Sequence, residues 1–316
     1  MADRTRQTIA IIGAGLIGTS WAALFAFAGH RVLVYDQDEA TRGAAPARIH
    51  AALAELAALH GHKNQPGEVL ITETLEEAAI SAALIQECIR EDLGTKQALY
   101  RQLRPLAPAA IIASSTSTFL PSALFEGLPN AQACLIVHPL LPPHLIPVSE
   151  LVPAPFTAPE ALQTMERVLT QAGHKVIHLA QEVPGFVLNR LQFAVLGEAM
   201  HLVDKGICEP DAIDLAIRHG LGLRWASIGI FANSHLNAAG GIEGSFTSYR
   251  AALEPVLQDL RPAHPWSDGL ISRIGTAMRR DVPEDRIPAE RRERDARIAA
   301  LRRLLVELEA SPPAGP

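Results

Sequence analysis

The chain has 316 residues, 48% of them hydrophobic and 20% charged, a balance that builds globular cores and excludes a disordered polypeptide. Its net charge of -6, with the Arg-rich stretch near residue 290 offset by Glu and Asp, excludes nucleic acid as a partner, because phosphate binding needs clustered Lys and Arg. No apolar run is long enough to span a membrane, and no apolar leader precedes the first strand, so a soluble cytoplasmic protein is expected. Cys88, Cys134 and Cys208 lie far apart without CxxC spacing, which fits a reducing compartment and no metal centre.

The first predicted element is an apolar strand, 8–12, followed by the turn Gly13-Ala-Gly15-Leu16-Ile17-Gly18 and an apolar helix to Ala28 closed by Gly29. A second strand, 31–35, ends at Asp36. Together these form a dinucleotide-binding fingerprint. Gly13 permits the tight turn, Gly15 lets the backbone approach a pyrophosphate, and Gly18 lets the helix pack close to the sheet. The phosphates then rest on the positive end of that helix, at Gly15, Leu16, Ile17 and Gly18. A carboxylate at Asp36 accepts the ribose hydroxyls of NAD and repels the 2′-phosphate of NADP, although Arg31 and Arg42 lie close enough in sequence to reach such a phosphate.

Further strands are expected at 69–71, 83–88, 110–114, 133–138 and 175–179, alternating with helices at 40–60, 92–103 and 158–172. This is the pattern of a parallel sheet with right-handed crossovers. At Pro184-Gly185 it gives way to helical periodicity alone: a helix over 186–205 stopped by Gly206, another over 210–219 closed at Gly220, and a charged terminal helix over 285–309 docked on its own domain or on a partner subunit. The run 311–316 reads as a loose tail. The expected fold class is α/β, with an N-terminal Rossmann-type doubly wound sheet over 1–184 and an all-α domain over 185–316.

Polar residues gather directly after apolar strands, where ligands collect in such sheets. Ser114-Ser-Thr-Ser117-Thr118 follows Ile111-Ile-Ala113, and His138 ends Cys134-Leu-Ile-Val137. Oxidation of a secondary alcohol needs a base of near-neutral pKa, and His138 is the candidate. Glu150 returns after a proline-stiffened loop over 139–147 and can hold the other ring nitrogen. Ser117 and Asn189 can donate or accept hydrogen bonds at the substrate oxygen. Each residue also has a plainer use: His138 in a turn or core, Glu150 as a surface charge, Asn189 on a helix face, and the Ser/Thr run as a helix cap.

The segments Ser114-Ser-Thr-Ser117, His138-Pro-Leu-Leu-Pro-Pro-His-Leu-Ile-Pro-Val-Ser-Glu150, Pro184-Gly-Phe-Val-Leu-Asn189 and Gly220-Leu-Gly-Leu-Arg224-Trp resemble the 3-hydroxyacyl-CoA dehydrogenase superfamily over nearly the whole chain. Within it they are most similar to the lambda-crystallin, or L-gulonate 3-dehydrogenase, branch. The resemblance implies His138 as base, Glu150 as its partner, and Ser117 and Asn189 as hydrogen-bonders to the substrate. It also places Glu91 and Lys96 against the nicotinamide half of NAD, and implies a homodimer through the helical domain. Relatives carry Asn three residues after the catalytic His, where this chain has Leu141, and His144 is a candidate substitute. The resemblance puts Arg at position 224 in the lambda-crystallin-like branch, where the acyl-CoA branch is uncharged; a guanidinium there can pair with a carboxylate, which favours a small free 3-hydroxy acid such as L-gulonate as substrate, its plainer use being an interdomain or subunit salt bridge. A 3-hydroxyacyl-CoA or carnitine-type dehydrogenase, or a non-catalytic crystallin-like NAD binder, are the alternatives.

Overall fold

The computed structural model describes residues 6–60 and 65–310, so the expected tail over 311–316 lies outside the described residues. Eight strands make one sheet: β1 (Thr8–Ile12), β2 (Arg31–Tyr35), β3 (Val69–Ile71), β4 (Leu84–Glu87), β5 (Ile111–Ser114), β6 (Cys134–Pro139), β7 (Val148–Pro153) and β8 (Lys175–His178). Their order is β3-β2-β1-β4-β5-β6-β7-β8. Strand order reverses beside β1, so a crevice opens at the carboxyl ends of β1 and β4. The helices of this unit are α1 (Leu16–Phe27), α2 (Glu39–His60), α3 (Leu75–Ala79), α4 (Leu93–Leu106), α5 (Pro121–Phe125) and α6 (Pro159–Gln171).

Alternation along the strands divides the core into two layers. Ile9, Ile11, Val32 and Val34 face one way, against Trp21 and Phe25 of α1, Ile49 and Leu56 of α2 and Met165 of α6. Ala10, Ile12, Leu33 and Ile85 face the other, against Tyr100 and Leu103 of α4 and Phe125 of α5. Gly29, expected to close α1, does so in left-handed backbone at φ 98°, and Gly173 follows α6 in the same conformation at φ 88°.

One strand departs from the expected pattern. The 139–147 loop leads into β7, which pairs antiparallel with β6 while every other neighbouring pair is parallel. Ser149 and Glu150 interrupt its apolar run and Pro147 and Pro153 flank it, so it lacks the continuous Val/Ile/Leu signature of a buried strand. That missed strand carries Glu150.

The chain divides into two compact units, Met1–Asn189 with Asp295–Glu307, and Arg190–Arg294 with Leu308–Pro316. The division falls a few residues beyond Pro184, and a stretch of the terminal helix belongs to the sheet-containing unit rather than to the helical one. The remaining helices are α7 (Leu188–Asp204), α8 (Pro210–Ala216), α9 (Gly222–Ser227), α10 (Ile230–Leu236), α11 (Gly241–Asp259), α12 (Asp268–Asp281) and α13 (Ile287–Ala310). Gly220 does not stop a helix: Ile217–Leu221 is wound as π-helix and runs straight into α9. Gly206, at φ 68°, does end α7.

Candidate active site

The glycine turn divides its three glycines by function. A Cβ on Gly13, whose φ is 103°, would meet Cys88 backbone at 2.6 Å, and one on Gly18 would meet the Gly13 carbonyl oxygen at 1.8 Å. A Cβ on Gly15 would meet nothing within 4 Å. The space over Gly15 therefore lies open, at the N-terminus of α1, whose first turn has no acidic residue and whose start has no side-chain cap. Leu16, Ile17 and Gly18 begin that helix with backbone N–H groups suited to an anion. Beside it a cavity of about 430 Å³ is lined by Gly13, Gly15, Asp36, Gln37 and Thr41, room for the adenosine half of a dinucleotide.

Asp36 is built into this turn. Its Oδ2 accepts from Ala14 N–H at 2.7 Å and its Oδ1 from Asp38 N–H at 3.0 Å. Of the two neighbouring arginines, Arg31 pairs with Glu68 at 3.0 Å, and Arg42 donates to the Asp36 carbonyl at 2.7 Å. Both are thus engaged away from the carboxylate, which keeps its preference for a 2′-hydroxyl.

At the ends of β4 and β5 lies a buried network. Glu87 Oε1 accepts from Lys96 Nζ at 2.7 Å and Ile89 N–H at 2.7 Å, while Oε2 accepts from Tyr100 Oη–H and Ser114 Oγ–H, each at 2.6 Å. Lys96 is 1% exposed. Besides Glu87, its ammonium meets Ile89 O at 3.3 Å and Glu91 Oε2 at 3.4 Å, so its three protons face three acceptors. Burial and the adjoining Glu87 carboxylate raise the Tyr100 phenol well above its ordinary range. Glu91 Oε1 gathers the Ser/Thr run: it accepts from Thr116 Oγ1–H, from Ser117 N–H at 2.9 Å, and from Thr118 N–H and Oγ1–H at 3.1 and 2.9 Å. Burial pushes the Glu91 carboxyl up, but these donors and the Lys96 ammonium outweigh it and hold the group below its usual range. Glu87 escaped the sequence reading, although an acid closing the apolar strand Leu84-Ile-Gln-Glu87 ahead of a lysine was the available signal.

The β6–β7 register sets His138 directly opposite Glu150. His138 Nδ1 lies 2.6 Å from Glu150 Oε2, with both residues buried. The other carboxylate oxygen, Oε1, accepts from Val187 N–H at 2.6 Å and Leu188 N–H at 2.9 Å. These amides are aimed by two successive left-handed residues, Gly185 at φ 77° and Phe186 at φ 53°, the latter unusual for a bulky side chain. The Phe186 ring packs 5.3 Å from the His138 ring, centroid to centroid. Next along the chain, Asn189 donates from Nδ2 to Ser117 O at 2.9 Å. Ser117 and Asn189 are therefore joined to each other, and Asn189 is tied through its neighbours to Glu150.

His144 does not replace the missing amide at Leu141. Both of its ring nitrogens are engaged, Nδ1 with Ser20 Oγ and Nε2 with Glu55 Oε2, each at 2.6 Å. It anchors the loop to α1 and α2 instead. His174 anchors the same loop from the far side, with Nε2–H donating to Pro143 O at 2.9 Å and Nδ1 meeting Ser149 Oγ at 2.7 Å. Burial pushes the His174 pKa down to about 4, only partly offset by the bond to Pro143 O. The folded chain therefore holds His174 neutral while the unfolded chain binds a proton below pH 6.5. Stability from this residue is complete above pH 6.5 and is lost as pH falls towards 4, an effect of about 3 kcal/mol. Urea midpoints measured across that window fall with pH, and His174→Gln flattens the dependence.

Arg224 lies exposed on α9 in the helical unit. Among the described residues no group of three or more His, Cys, Asp or Glu side chains is placed to hold a metal, and no helix is long and apolar enough to cross a membrane.

Comparison with known proteins places the chain in a family. The model of the 3-hydroxyacyl-CoA dehydrogenase NAD-binding domain matches residues 8–183, and that of the 3-hydroxyacyl-CoA dehydrogenase C-terminal domain matches 185–266. The chain is 37% identical to the lambda-crystallin homolog of Bos taurus, over 95% of this chain and 96% of that protein. It is 34% identical to an L-carnitine dehydrogenase of Pseudomonas sp, over 93% and 92%. A solved structure of a 5-formyl-3-hydroxy-2-methylpyridine 4-carboxylic acid 5-dehydrogenase, an NAD+-dependent dismutase, superposes with a TM-score of 0.84 at 26% identity, covering 95% of this chain and 99% of that one. With the open phosphate cradle, Asp36 and the doubly wound sheet, these matches make the chain a member of the 3-hydroxyacyl-CoA dehydrogenase family, NAD-dependent oxidoreductases acting on a CH–OH group.

Proposed function

We propose that the chain oxidises the 3-hydroxyl of a small free hydroxy acid, L-gulonate or a close analogue, to the 3-oxo acid, with His138 as the base. The buried His138–Glu150 pair carries this reading. NAD, when bound at the glycine turn, supplies the hydride acceptor. Glu150 occupies Nδ1, which leaves Nε2 to take the substrate hydroxyl proton. The imidazolium so formed lies against a carboxylate whose second oxygen is already fixed by two backbone amides. The Ser117 Oγ–H and the second Asn189 Nδ2–H serve as hydrogen-bond donors to the substrate oxygen. Glu91 and Lys96 belong to the nicotinamide end of the site, Glu91 by ordering the Ser117 turn and Lys96 by holding Glu91.

Arg224 supports a free acid over a CoA thioester, because a guanidinium binds a carboxylate in a bidentate pair. The substrates named for the carnitine and pyridine-carboxylate relatives also carry carboxylates. NADH absorbance with a panel of 3-hydroxy acids, L-carnitine and 3-hydroxyacyl-CoA thioesters tests the reading. Turnover confined to thioesters overturns it, and NAD binding without turnover on any of them favours the non-catalytic alternative that Leu141 and the lambda-crystallin relative support. Arg224→Ala raises KM for the acid about 10- to 100-fold with little change in kcat. An unchanged KM removes Arg224 from the substrate site.

A homodimer through the helical unit forms part of the same proposal. Its buried cluster consists of Met200, Val203 and Leu270, while Phe231, Leu236, Phe246, Leu257 and Trp266 are exposed. Three buried side chains, with Ile213 and Ile274 packed against them, are a small core for a unit of roughly a hundred residues. A second copy covering the apolar face supplies the missing burial. Sedimentation is expected to give twice the 33.9 kDa chain mass, and a stable monomer overturns the pairing.

A further inference from the structure

The loop that joins β6 to β7 separates the proposed base from its carboxylate, so whatever fixes the loop fixes the hairpin from which both project. Three consecutive loop carbonyls receive hydrogen bonds from buried side chains. Pro143 O is held by His174, as described above, while His144 O and Leu145 O accept from Arg302 Nη1 at 2.8 and 3.3 Å. Arg302 Nη2 also meets His60 Nε2 at 3.2 Å, at the end of α2. Arg302 is 9% exposed in the stretch of α13 that belongs to the sheet-containing unit.

An arginine so deeply buried is costly to desolvate unless its protons find acceptors, and burial lowers its pKa. Among the described residues the acceptors of Arg302 are two loop carbonyls and a histidine. A simple surface anchor for α13 would need no such burial. Neither matched family model reaches this residue, since they cover 8–183 and 185–266.

We propose that Arg302 is a positioning residue for the His138–Glu150 pair, acting through the carbonyls of His144 and Leu145. The terminal helix thereby becomes part of the machinery that sets the base, in addition to any packing role it has. On one side Ser20 and Glu55 hold the His144 ring, on the other His174 holds Pro143, and Arg302 closes the third. Removing it frees the middle of the hairpin connection while leaving the dinucleotide turn untouched.

The proposal rests on the reading of His138 as base, so the test begins with a measurement that needs no substrate. In full-length Arg302→Ala protein, the imidazole nitrogen NMR signals of His138 are followed across pH. Glu150 Oε2 at Nδ1 fixes one tautomer of the ring, and Phe186 packs beside it; loosening the Glu150 contact mixes the tautomers, so the Nδ1 and Nε2 signals move towards each other. With the acid substrate, kcat falls about tenfold and KM for NAD is unchanged. Millimolar guanidinium restores part of kcat in this variant and none in His138→Gln. Arg303→Ala, at an exposed neighbouring position, serves as control and behaves as the parent.

If Arg302→Ala does not fold, Arg302→Lys, which keeps the charge and can reach one carbonyl, is measured in its place and gives a smaller shift of the same sign. His138 signals that match the parent in the folded variant overturn the proposal, even if thermal stability has dropped. Shifted His138 signals in a protein that turns over no hydroxy acid leave the positioning role standing and overturn the function proposed above.

Discussion

His138→Gln lowers kcat about 10³-fold and leaves NAD binding in place. The substitution keeps a polar side chain that can still meet Glu150 Oε2, where the imidazole now sits at 2.6 Å, so the β6–β7 register loses little. What disappears is a group able to accept a proton near neutral pH. The dinucleotide turn lies at β1 and α1, with its own hydrogen bond from Ala14 N–H to Asp36, and among the described residues it shares no hydrogen bond with His138. Steady-state kinetics together with NAD titration separate the two effects. Equal loss of NAD affinity and turnover would make His138 a structural residue, and a rate unchanged in the variant would remove it from the chemistry altogether.

The cofactor half of this site was legible because its signal is local. Gly13, Gly15, Gly18 and Asp36 fall within one strand, turn, helix and strand, and each has a backbone reason for being where it is. The proposed base and its carboxylate were legible as a pair, but the strand that brings them together was not. Their pairing depends on β7, an antiparallel strand whose short run is broken by the very polar residues that matter, Ser149 and Glu150. A periodicity argument built on apolar alternation has nothing to count there. The links held by His144 and Arg302 depend on contacts across large sequence separations, such as 124 residues between Ser20 and His144 and 158 between Arg302 and His144. No local pattern encodes such a pairing. His144 shows the cost of arguing from adjacency, since its closeness in sequence to Leu141 suggested a catalytic substitute, while the fold commits both its nitrogens to α1 and α2.

Lys96→Met is expected to destabilise the protein by about 3 kcal/mol, near the lower end of the range for breaking a buried ion pair. The lysine and Glu87 are both buried, so removing the ammonium strands a carboxylate away from water. Three neutral donors remain on Glu87, from Ile89 N–H, Tyr100 and Ser114, and these keep the loss from being larger. Urea unfolding measures the change. The double variant Glu87→Gln with Lys96→Met should recover most of it, because the desolvation of an unpaired charge is the dominant cost and a neutral amide does not bear it. A single variant as stable as the parent would mean that the pair contributes no ionic stabilisation. The same substitution bears on function through Glu91, whose carboxyl is held low partly by the Lys96 ammonium and in turn orders the Ser117 turn. Loss of Lys96 lets that carboxyl rise towards its ordinary range. Because a depressed carboxyl contributes stability that is lost as pH falls through its folded value, the variant loses that contribution at higher pH than the parent does. Turnover in Lys96→Met therefore declines at a higher pH on the acidic side, while Glu87→Gln with Lys96 intact, which leaves the ammonium beside Glu91, keeps the parent's acidic limb.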